Sequence, residues 1–197
     1  MNSVFKVMVK IRSFIAIELD QKVIEKLREI EYKLKSVRAE VKWINPSSIH
    51  LTLKFLGGID EGMIDEIAKK AQEVARRYNP FNLKVEGIGT FPPGKNPRVV
   101  WIGVKDETGK ISALQEEIEH EMNNLGFERE QRAFTPHLTL GRVKSAKGKD
   151  ELLEKIEEGK GINLGEFTVK DFHLFKSDLH PQGAIYTKLK TFMLNLL

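Results

Sequence analysis

Two histidines in this chain are followed by the same three residues: His-Leu-Thr-Leu begins at His50 and again at His137. In a β-strand, alternate side chains point to opposite faces, so the His and Thr of each copy share one face and the leucines share the other. The leucines would hold each strand in apolar packing. Each copy therefore predicts a strand that presents an imidazole beside a hydroxyl group.

Two such strands facing each other would bring two imidazoles and two hydroxyls into one cleft. Unperturbed imidazole titrates near pH ~6.5, so one ring can be neutral while the other is protonated at cellular pH. The neutral ring can take a proton from attacking water, and the charged ring can protonate a departing oxygen. Thr52 and Thr139 would hydrogen-bond the non-bridging phosphate oxygens. The pattern favours phosphoryl chemistry with His50 and His137 as catalysts and with no metal or cofactor.

Other kinds of site fit these residues less well. A single His on a strand is more often structural, but the repetition with identical spacing argues against that interpretation. A zinc site would lack ligands, because the chain has no Cys and neither motif carries an adjacent Asp or Glu. The sequence has no Gly-x-Ser-x-Gly elbow and no Walker-type loop. We assign no catalytic role to the remaining histidines, which are His120, His173 and His180.

The elements that must position the motifs alternate between two periodicities. Four stretches have the 3–4 spacing of amphipathic helices: residues 20–38, residues 60–78 with Asp60 as N-cap, residues 108–125 with Thr108 as N-cap, and residues 149–158. Seven stretches have strand patterns: residues 13–19, 50–56, 81–89, 98–104, 137–143, 167–175 and 184–194. This order predicts an α+β fold rather than a doubly wound parallel sheet.

The proline-rich loop of residues 91–97 divides the chain into near-equal halves, each with one His-Leu-Thr-Leu. We therefore predict a single bilobal domain over residues 1–197, with the first half ending at about residue 95. Residues 1–11 form a possible extra N-terminal segment. Antiparallel sheets would face a central cleft in pseudo-twofold arrangement, with the helices outside.

Five segments, in order, resemble the 2H phosphoesterase superfamily, and in particular its RNA 2′,3′-cyclic phosphodiesterase branch, the 2′-5′ RNA ligases. In chain order they are the opening strand (12–19), the first His-x-Thr motif with its flanks (43–57), the Phe-Pro to Trp segment (91–104), the second motif with its flanks (134–143), and the closing Ser-x-Leu to Gly-x-x-Tyr hairpin (177–189). The resemblance implies the bilobal α+β fold. It also implies hydrolysis of 2′,3′-cyclic phosphates on RNA ends or nucleotides to 2′-phosphomonoesters.

The resemblance further implies a division of labour, with His50 as proton donor to the leaving 3′-oxygen and His137 as general base. Because the two motifs are nearly equivalent, the residues by themselves leave the order of these roles open. Reversible 2′-5′ ligation is allowed by microscopic reversibility. Two alternatives stay open: a phosphodiesterase for another small cyclic phosphate or a 2′-5′ oligonucleotide, and a non-catalytic module that binds RNA ends.

Candidate RNA contacts lie near the motifs. Arg132 and Arg142 could reach phosphates, as could Lys54 and Arg98, and Phe134 could stack a base. Arg142 has the opposite strand parity to His137, so it reaches the cleft only if the strand ends or bends, for which Gly141 offers a place. For Trp101, which lies in an apolar strand, we expect core packing.

Composition sets the remaining expectations. The chain has 197 residues, 32 Lys and Arg against 28 Asp and Glu, and a net charge of +4, a mild excess that is compatible with a polyanionic substrate. The absence of Cys excludes disulfides, and the Lys/Glu-rich surface hints at a thermophile. No segment has the length and polarity of a membrane span or a clean signal peptide. We expect a cytoplasmic monomer with no membrane partner. The partner that the resemblance implies is RNA ending in a 2′,3′-cyclic phosphate, tRNA fragments among them.

Overall fold

The computed structural model describes residues 10–181 and 183–195. In chain order the elements are β1 (Ile11–Glu18), α1 (Gln21–Lys35), β2 (Val41–Trp43), β3 (His50–Ile59), α2 (Ile64–Ala75), β4 (Phe81–Phe91), β5 (Val99–Lys105), α3 (Lys110–Asn124), β6 (His137–Val143), α4 (Lys149–Glu158), β7 (Asn163–Val169), β8 (Asp171–His180) and β9 (Gly183–Met193). The predicted α+β class and the four helices are confirmed.

Three local expectations differ from the structure. Residues 167–175 form parts of two strands, β7 and β8, which are separated at Lys170. The side chain of Asp60 makes no capping hydrogen bond, and a short 3₁₀ turn precedes α2. Thr108 does not cap α3; the Asp106 carboxylate does, because it accepts hydrogen bonds from the backbone N–H groups of Thr108 and Ile111.

All the strands belong to one antiparallel sheet in the order β7-β4-β5-β6-β3-β1-β8-β9, with β2 paired to β6. The two strands that carry the motifs, β3 and β6, are neighbours at its centre. On each side of them stand three strands, so the order is pseudo-twofold. The two antiparallel halves that the sequence predicts are therefore joined into one curled sheet.

The two sides of the sheet do not correspond to the two halves of the chain. We call β1, β3, β8 and β9 the first lobe, and β4 to β7 the second lobe. Strand β4 precedes residue 95 but lies in the second lobe, while the last two strands return to the first. The loop 91–97 is thus the hairpin connection between neighbouring strands β4 and β5 rather than a boundary. Of the possible N-terminal segment, residues 1–9 lie outside the described residues.

The helices bury their apolar stripes against one face of the sheet. Leu27 of α1, Ile67 of α2, Leu114 of α3 and Leu152 of α4 are all fully buried in one continuous core. Burial of each such side chain contributes roughly 1.5–3 kcal/mol relative to exposure. The opposite face of the sheet, which we call the open face, is free for polar side chains.

Candidate active site

The two His-Leu-Thr-Leu motifs meet at the centre of the sheet. Leu51 of β3 lies directly opposite Leu138 of β6, and both leucines are buried in the core. Because the two strands are antiparallel, the residues next to this pair bring His50 toward Thr139 and Thr52 toward His137 on the open face. Two imidazoles and two hydroxyls therefore share a small area of the open face.

Both imidazole rings are held in the same way. The Nδ1 atom of His50 lies 3.0 Å from the carbonyl oxygen of Ser48, and that of His137 lies 2.7 Å from the carbonyl oxygen of Thr135. A carbonyl oxygen only accepts hydrogen bonds, so each Nδ1 must carry the proton and donate it. The Nε2 atom of each ring is then the one that can take up or release a proton. His50 and His137 therefore have the same tautomer and the same kind of backbone hydrogen bond.

Aromatic side chains surround His50. The ring of Phe14 stacks on the imidazole with centroids 4.6 Å apart, and Tyr186 meets it edge-on at 5.1 Å. Phe175 stacks against Phe14 at 5.3 Å, and its ring centroid lies 6.4 Å from that of His50. With Ala16 these side chains form an apolar cluster on the open face, separate from the main core. Phe55 continues this surface, 6.2 Å from Phe14, and 64% of it is exposed.

Burial among these rings lowers the pKa of His50, because desolvation disfavours the charged imidazolium. The hydrogen bond to Ser48 and the carboxylate of Glu18 act in the opposite direction. Glu18 stands directly across from His50 on β1. Burial also raises the pKa of Tyr186, and its phenol stays neutral at cellular pH.

Glu18 is itself held by neighbours in the last two strands. Its carboxylate lies 2.7 Å from the Lys188 ammonium and 3.4 Å from Nε2 of His173. The buried His173 also contacts Asp171 at 3.1 Å and Thr191 at 3.0 Å. His173, to which we assigned no catalytic role, is part of the support around the carboxylate that faces His50.

Aromatic residues also flank His137. Phe91 meets the imidazole edge-on, with centroids 5.0 Å apart, and Trp101 lies 5.1 Å from Phe91. Trp101 is directly opposite Thr139, so it stands on the open face and the expected core packing is wrong. Its ring occupies the space above Gly89, where a Cβ atom would come within 2.4 Å of the indole. A glycine on the neighbouring strand gives the bulky ring room on this face.

A β-bulge follows the Thr in each motif and changes which side chains reach the open face. Trp101 pairs with Thr139 but Val100 pairs with Gly141, so Leu140 is an extra residue. Arg142 is thereby brought to the face of His137 and Thr139, and the bend for which Gly141 left room is present. In β3 an equivalent bulge at Leu53 brings Phe55 to the same face.

Arg142 and Phe55 occupy the same position in the two motifs, five residues after each histidine. The positive charges of Arg12 and Arg142 both lower the pKa of Tyr186, although burial outweighs them. The site therefore presents an aromatic surface on the side of His50 and a guanidinium on the side of His137.

The other candidate RNA contacts lie elsewhere. Lys54 is buried on the helix-covered side, where its ammonium is 2.8 Å from the Glu119 carboxylate of α3, so the expectation that it contacts phosphates is wrong. Arg132 is exposed on the segment between α3 and β6, beside an open groove of about 490 Å³. Phe134 is half-buried against the core. Arg98 is exposed just before β5.

Sequence reasoning missed Phe14, Phe175 and Tyr186 as neighbours of His50. Strands β1 and β8 bring the two phenylalanines together from positions more than 150 residues apart. Phe14 and Tyr186 lie in segments that resemble the family, which was the available signal, whereas Phe175 lies outside those segments. For the described residues, no three His, Asp or Glu side chains lie close enough to hold a metal ion together. Nor does any described helix have the length and apolarity that a membrane crossing requires.

Comparison with known proteins identifies the family. The sequence model of the 2′-5′ RNA ligase superfamily matches residues 18–181, a span that includes both motifs. The chain belongs to this superfamily. A relative from Methanothermobacter thermautotrophicus, named RNA 2′,3′-cyclic phosphodiesterase, is 39% identical over 186 residues, covering 94% of this chain and all of the relative. One of the same name from Archaeoglobus fulgidus is 38% identical, covering 92% of this chain and 99% of the relative.

Solved structures of other proteins share the fold. TT0787 of Thermus thermophilus superimposes with a TM-score of 0.80 at 29% identity, covering 93% of this chain and 97% of that one. Escherichia coli LigT, crystallised with 3′-AMP, gives 0.78 at 23% identity, covering 95% and 99%. The resemblance to the RNA 2′,3′-cyclic phosphodiesterase branch and the prediction that the chain is an enzyme of this superfamily are confirmed.

Proposed function

We propose that this superfamily member hydrolyses 2′,3′-cyclic phosphates on RNA ends or nucleotides to 2′-phosphomonoesters, by two-histidine acid–base catalysis without a metal ion. The observation that carries the proposal is the pairing of the motifs across Leu51 and Leu138, with both Nδ1 atoms committed to backbone carbonyls. The names of the relatives support the substrate class.

The reaction follows from the two free Nε2 atoms. Water attacks phosphorus in line with the bond to the 3′-oxygen and gives its proton to Nε2 of neutral His137. The P–O3′ bond breaks, and protonated His50 supplies a proton from Nε2 to the departing 3′-oxygen. The phosphate remains on the 2′-oxygen. Each proton transfer accounts for roughly 10²–10⁴-fold in rate.

The assignment of His50 as acid comes from the superfamily. It requires the imidazole of His50 to be protonated when the substrate is bound. Burial lowers the pKa of His50, which by itself would favour the neutral ring. The cyclic phosphate is an anion, and a negative charge close to an imidazole raises its pKa. Substrate binding would therefore favour the protonated ring at the moment when its proton is needed. Glu18 acts in the same direction.

The threonines complete the phosphate site. Thr52 and Thr139 stand one on each side of the Leu51–Leu138 pair, each toward the histidine of the other motif. Their hydroxyl groups can donate hydrogen bonds to the two non-bridging oxygens, where the negative charge of the phosphate resides. The phosphorus atom would then sit between the two rings, as an in-line displacement requires.

The asymmetry between Phe55 and Arg142 favours a nucleotide over a cyclic phosphate without a base. Exposed Phe55 extends the aromatic surface beside His50, and base–aromatic stacking contributes about 1–3 kcal/mol per base in other proteins. The candidates for contacts with the rest of the RNA are Arg142 and, on the more distant segment before β6, Arg132 and Phe134. tRNA fragments belong to this substrate class.

The test is hydrolysis of an RNA that ends in a 2′,3′-cyclic phosphate, in the presence of EDTA, with the product resolved as 2′- or 3′-phosphate. We expect a 2′-phosphate. A 3′-phosphate would overturn the proposed bond cleavage, and inhibition by EDTA would overturn metal independence. No turnover of RNA or of other small cyclic phosphates, with tight binding of the RNA end, would indicate a binding module instead.

A further inference from the structure

Two cations stand side by side on the open face beyond the phosphate site. Lys42 of β2 lies directly opposite Arg142 of β6. Directly opposite residues of an antiparallel pair point to the same face, and Arg142 is on the open face because of the bulge at Leu140. The neighbours of Lys42 in β2, Val41 and Trp43, pack against the core on the other side. Lys42 is exposed.

Like charges directly opposite each other destabilise a sheet unless opposite charges compensate them. The second lobe contains another such pair, Lys84 across from Lys105. There each lysine has its own carboxylate: Glu107 lies 2.5 Å from Lys84, and Glu86 lies 2.7 Å from Lys105. In the described part of the chain, neither Lys42 nor Arg142 lies within ion-pair distance of any carboxylate.

We infer that Lys42 and Arg142 form a binding site for a second phosphate of the substrate, the phosphodiester on the 5′ side of the terminal nucleotide. Arg142 is three residues beyond Thr139 along β6, at most about 10 Å away along the strand. A phosphate bound there would belong to the same chain as the reacting group. The site deepens the proposed function, on which it rests: it makes the preferred substrate an oligonucleotide rather than a free cyclic nucleotide.

The chemistry of the pair suits this ligand. A guanidinium can donate two parallel hydrogen bonds to phosphate oxygens, and an ammonium adds a compact charge beside it. The site lies where β2, β5 and β6 run together, next to the seam between the lobes. An RNA strand could therefore extend from the two histidines along the end of β6 without crossing the aromatic cluster beside His50.

The test compares Lys42→Gln with Lys69→Gln, which removes the same charge from an exposed lysine of α2. We would measure kcat/KM for a nucleoside 2′,3′-cyclic phosphate and for a trinucleotide with the same end. Lys42→Gln should reduce the preference for the trinucleotide about fivefold, the upper effect of an exposed ion pair. The log–log salt dependence of trinucleotide cleavage should become shallower by about 0.7. Lys69→Gln should change neither.

Binding gives a readout that does not depend on turnover. Anisotropy of a labelled trinucleotide and of a labelled nucleoside, each ending in a 2′-phosphate, reports the second phosphate even if no cyclic phosphate is hydrolysed. Loss of trinucleotide affinity in Lys42→Gln, with the nucleoside much less affected, supports the site. Equal effects on both ligands, or no effect on either, would overturn it, whereas absence of hydrolysis by the unaltered protein would count against the proposed function alone.

Discussion

Leu51 and Leu138 form the only described β-pair between the strands that carry the two histidines. Their side chains lie in the core, so the polar residues before and after each leucine face the other way and are set across from one another. A buried apolar contact thus fixes the relative position of groups that exchange protons with a substrate. The first predictions concern those groups.

Replacing either histidine with alanine should abolish most of the activity. His50→Ala and His137→Ala should each reduce kcat for a cyclic-phosphate RNA by about 10²–10⁴-fold, because each removes one proton transfer. Binding of the RNA end should largely persist. His120→Ala, at an exposed position of α3, is the matched control and should remain fully active. Turnover that survived in both active-site variants would rule out the two-histidine mechanism.

The pH dependence should report the environment of His50. As the acid it must be protonated, so activity falls as the pH rises through its pKa. Burial lowers that pKa, and the alkaline limb of kcat/KM should therefore lie below the pKa of free imidazole. The bound phosphate raises the pKa of His50 again, so the alkaline limb of kcat should lie at higher pH than the alkaline limb of kcat/KM.

Removing the Glu18 carboxylate, which lies opposite His50, should shift the alkaline limb of the pH profile further toward low pH. Glu18 raises the pKa of His50, so Glu18→Gln should shift the alkaline limb of kcat/KM to lower pH. Glu29→Gln, an exposed carboxylate of α1, is the control and should leave the profile in place. A shift to higher pH in Glu18→Gln would show that His50 is not the group that must be protonated.

The exposed ring of Phe55 should matter only for substrates with a base. Phe55→Ala should lower kcat/KM for a nucleoside 2′,3′-cyclic phosphate by roughly 5–100-fold, the equivalent of one lost stacking contact. Glycerol 1,2-cyclic phosphate, which has no base, should be cleaved at an unchanged rate, and Phe55→Trp should retain activity on the nucleotide. Tyr32→Ala, an exposed aromatic of α1, is the control. Equal losses on both substrates would argue against stacking.

The buried ion pair between Lys54 and Glu119 should contribute to stability rather than to substrate binding. Lys54→Met leaves the Glu119 carboxylate buried without its partner and should cost about 3–5 kcal/mol of the free energy of unfolding. Urea denaturation measures this loss. Lys105→Met, which breaks the exposed pair with Glu86, should cost less than about 1 kcal/mol. If the Lys54 variant were as stable as the Lys105 variant, the pair would not be stabilising in the way we expect.

The sequence predicted what depends on local periodicity. The stripe from Val23 to Leu34 forms α1, with Asp20 capping it, and the alternation around His50 and His137 forms β3 and β6. It predicted neither the lobe in which β4 lies nor the return of β8 and β9 to β1, because pairing between distant strands leaves no periodic signal. Three-residue β2 was too short to stand out, and it carries Lys42.

Side-chain direction was the other point at which the sequence was insufficient. A bulge changes the parity of every later residue in a strand, so Phe55 and Arg142 could not be assigned to a face from spacing alone. Trp101 looked like a core residue because its strand is apolar, whereas the space above Gly89 on the next strand receives its ring. Lys54 looked available for RNA because its partner, Glu119, is distant in sequence.

The return of the last two strands to the first lobe has a consequence for synthesis on the ribosome. When residues up to β7 have emerged, all the strands of the second lobe are present, whereas the first lobe lacks β8 and β9. The nascent chain then holds both histidines but neither Phe175 nor Tyr186, which surround His50. Domains fold as units as they emerge. The aromatic surroundings of His50 can therefore form only after β8 and β9 have emerged and paired with β1, later than every strand of the second lobe.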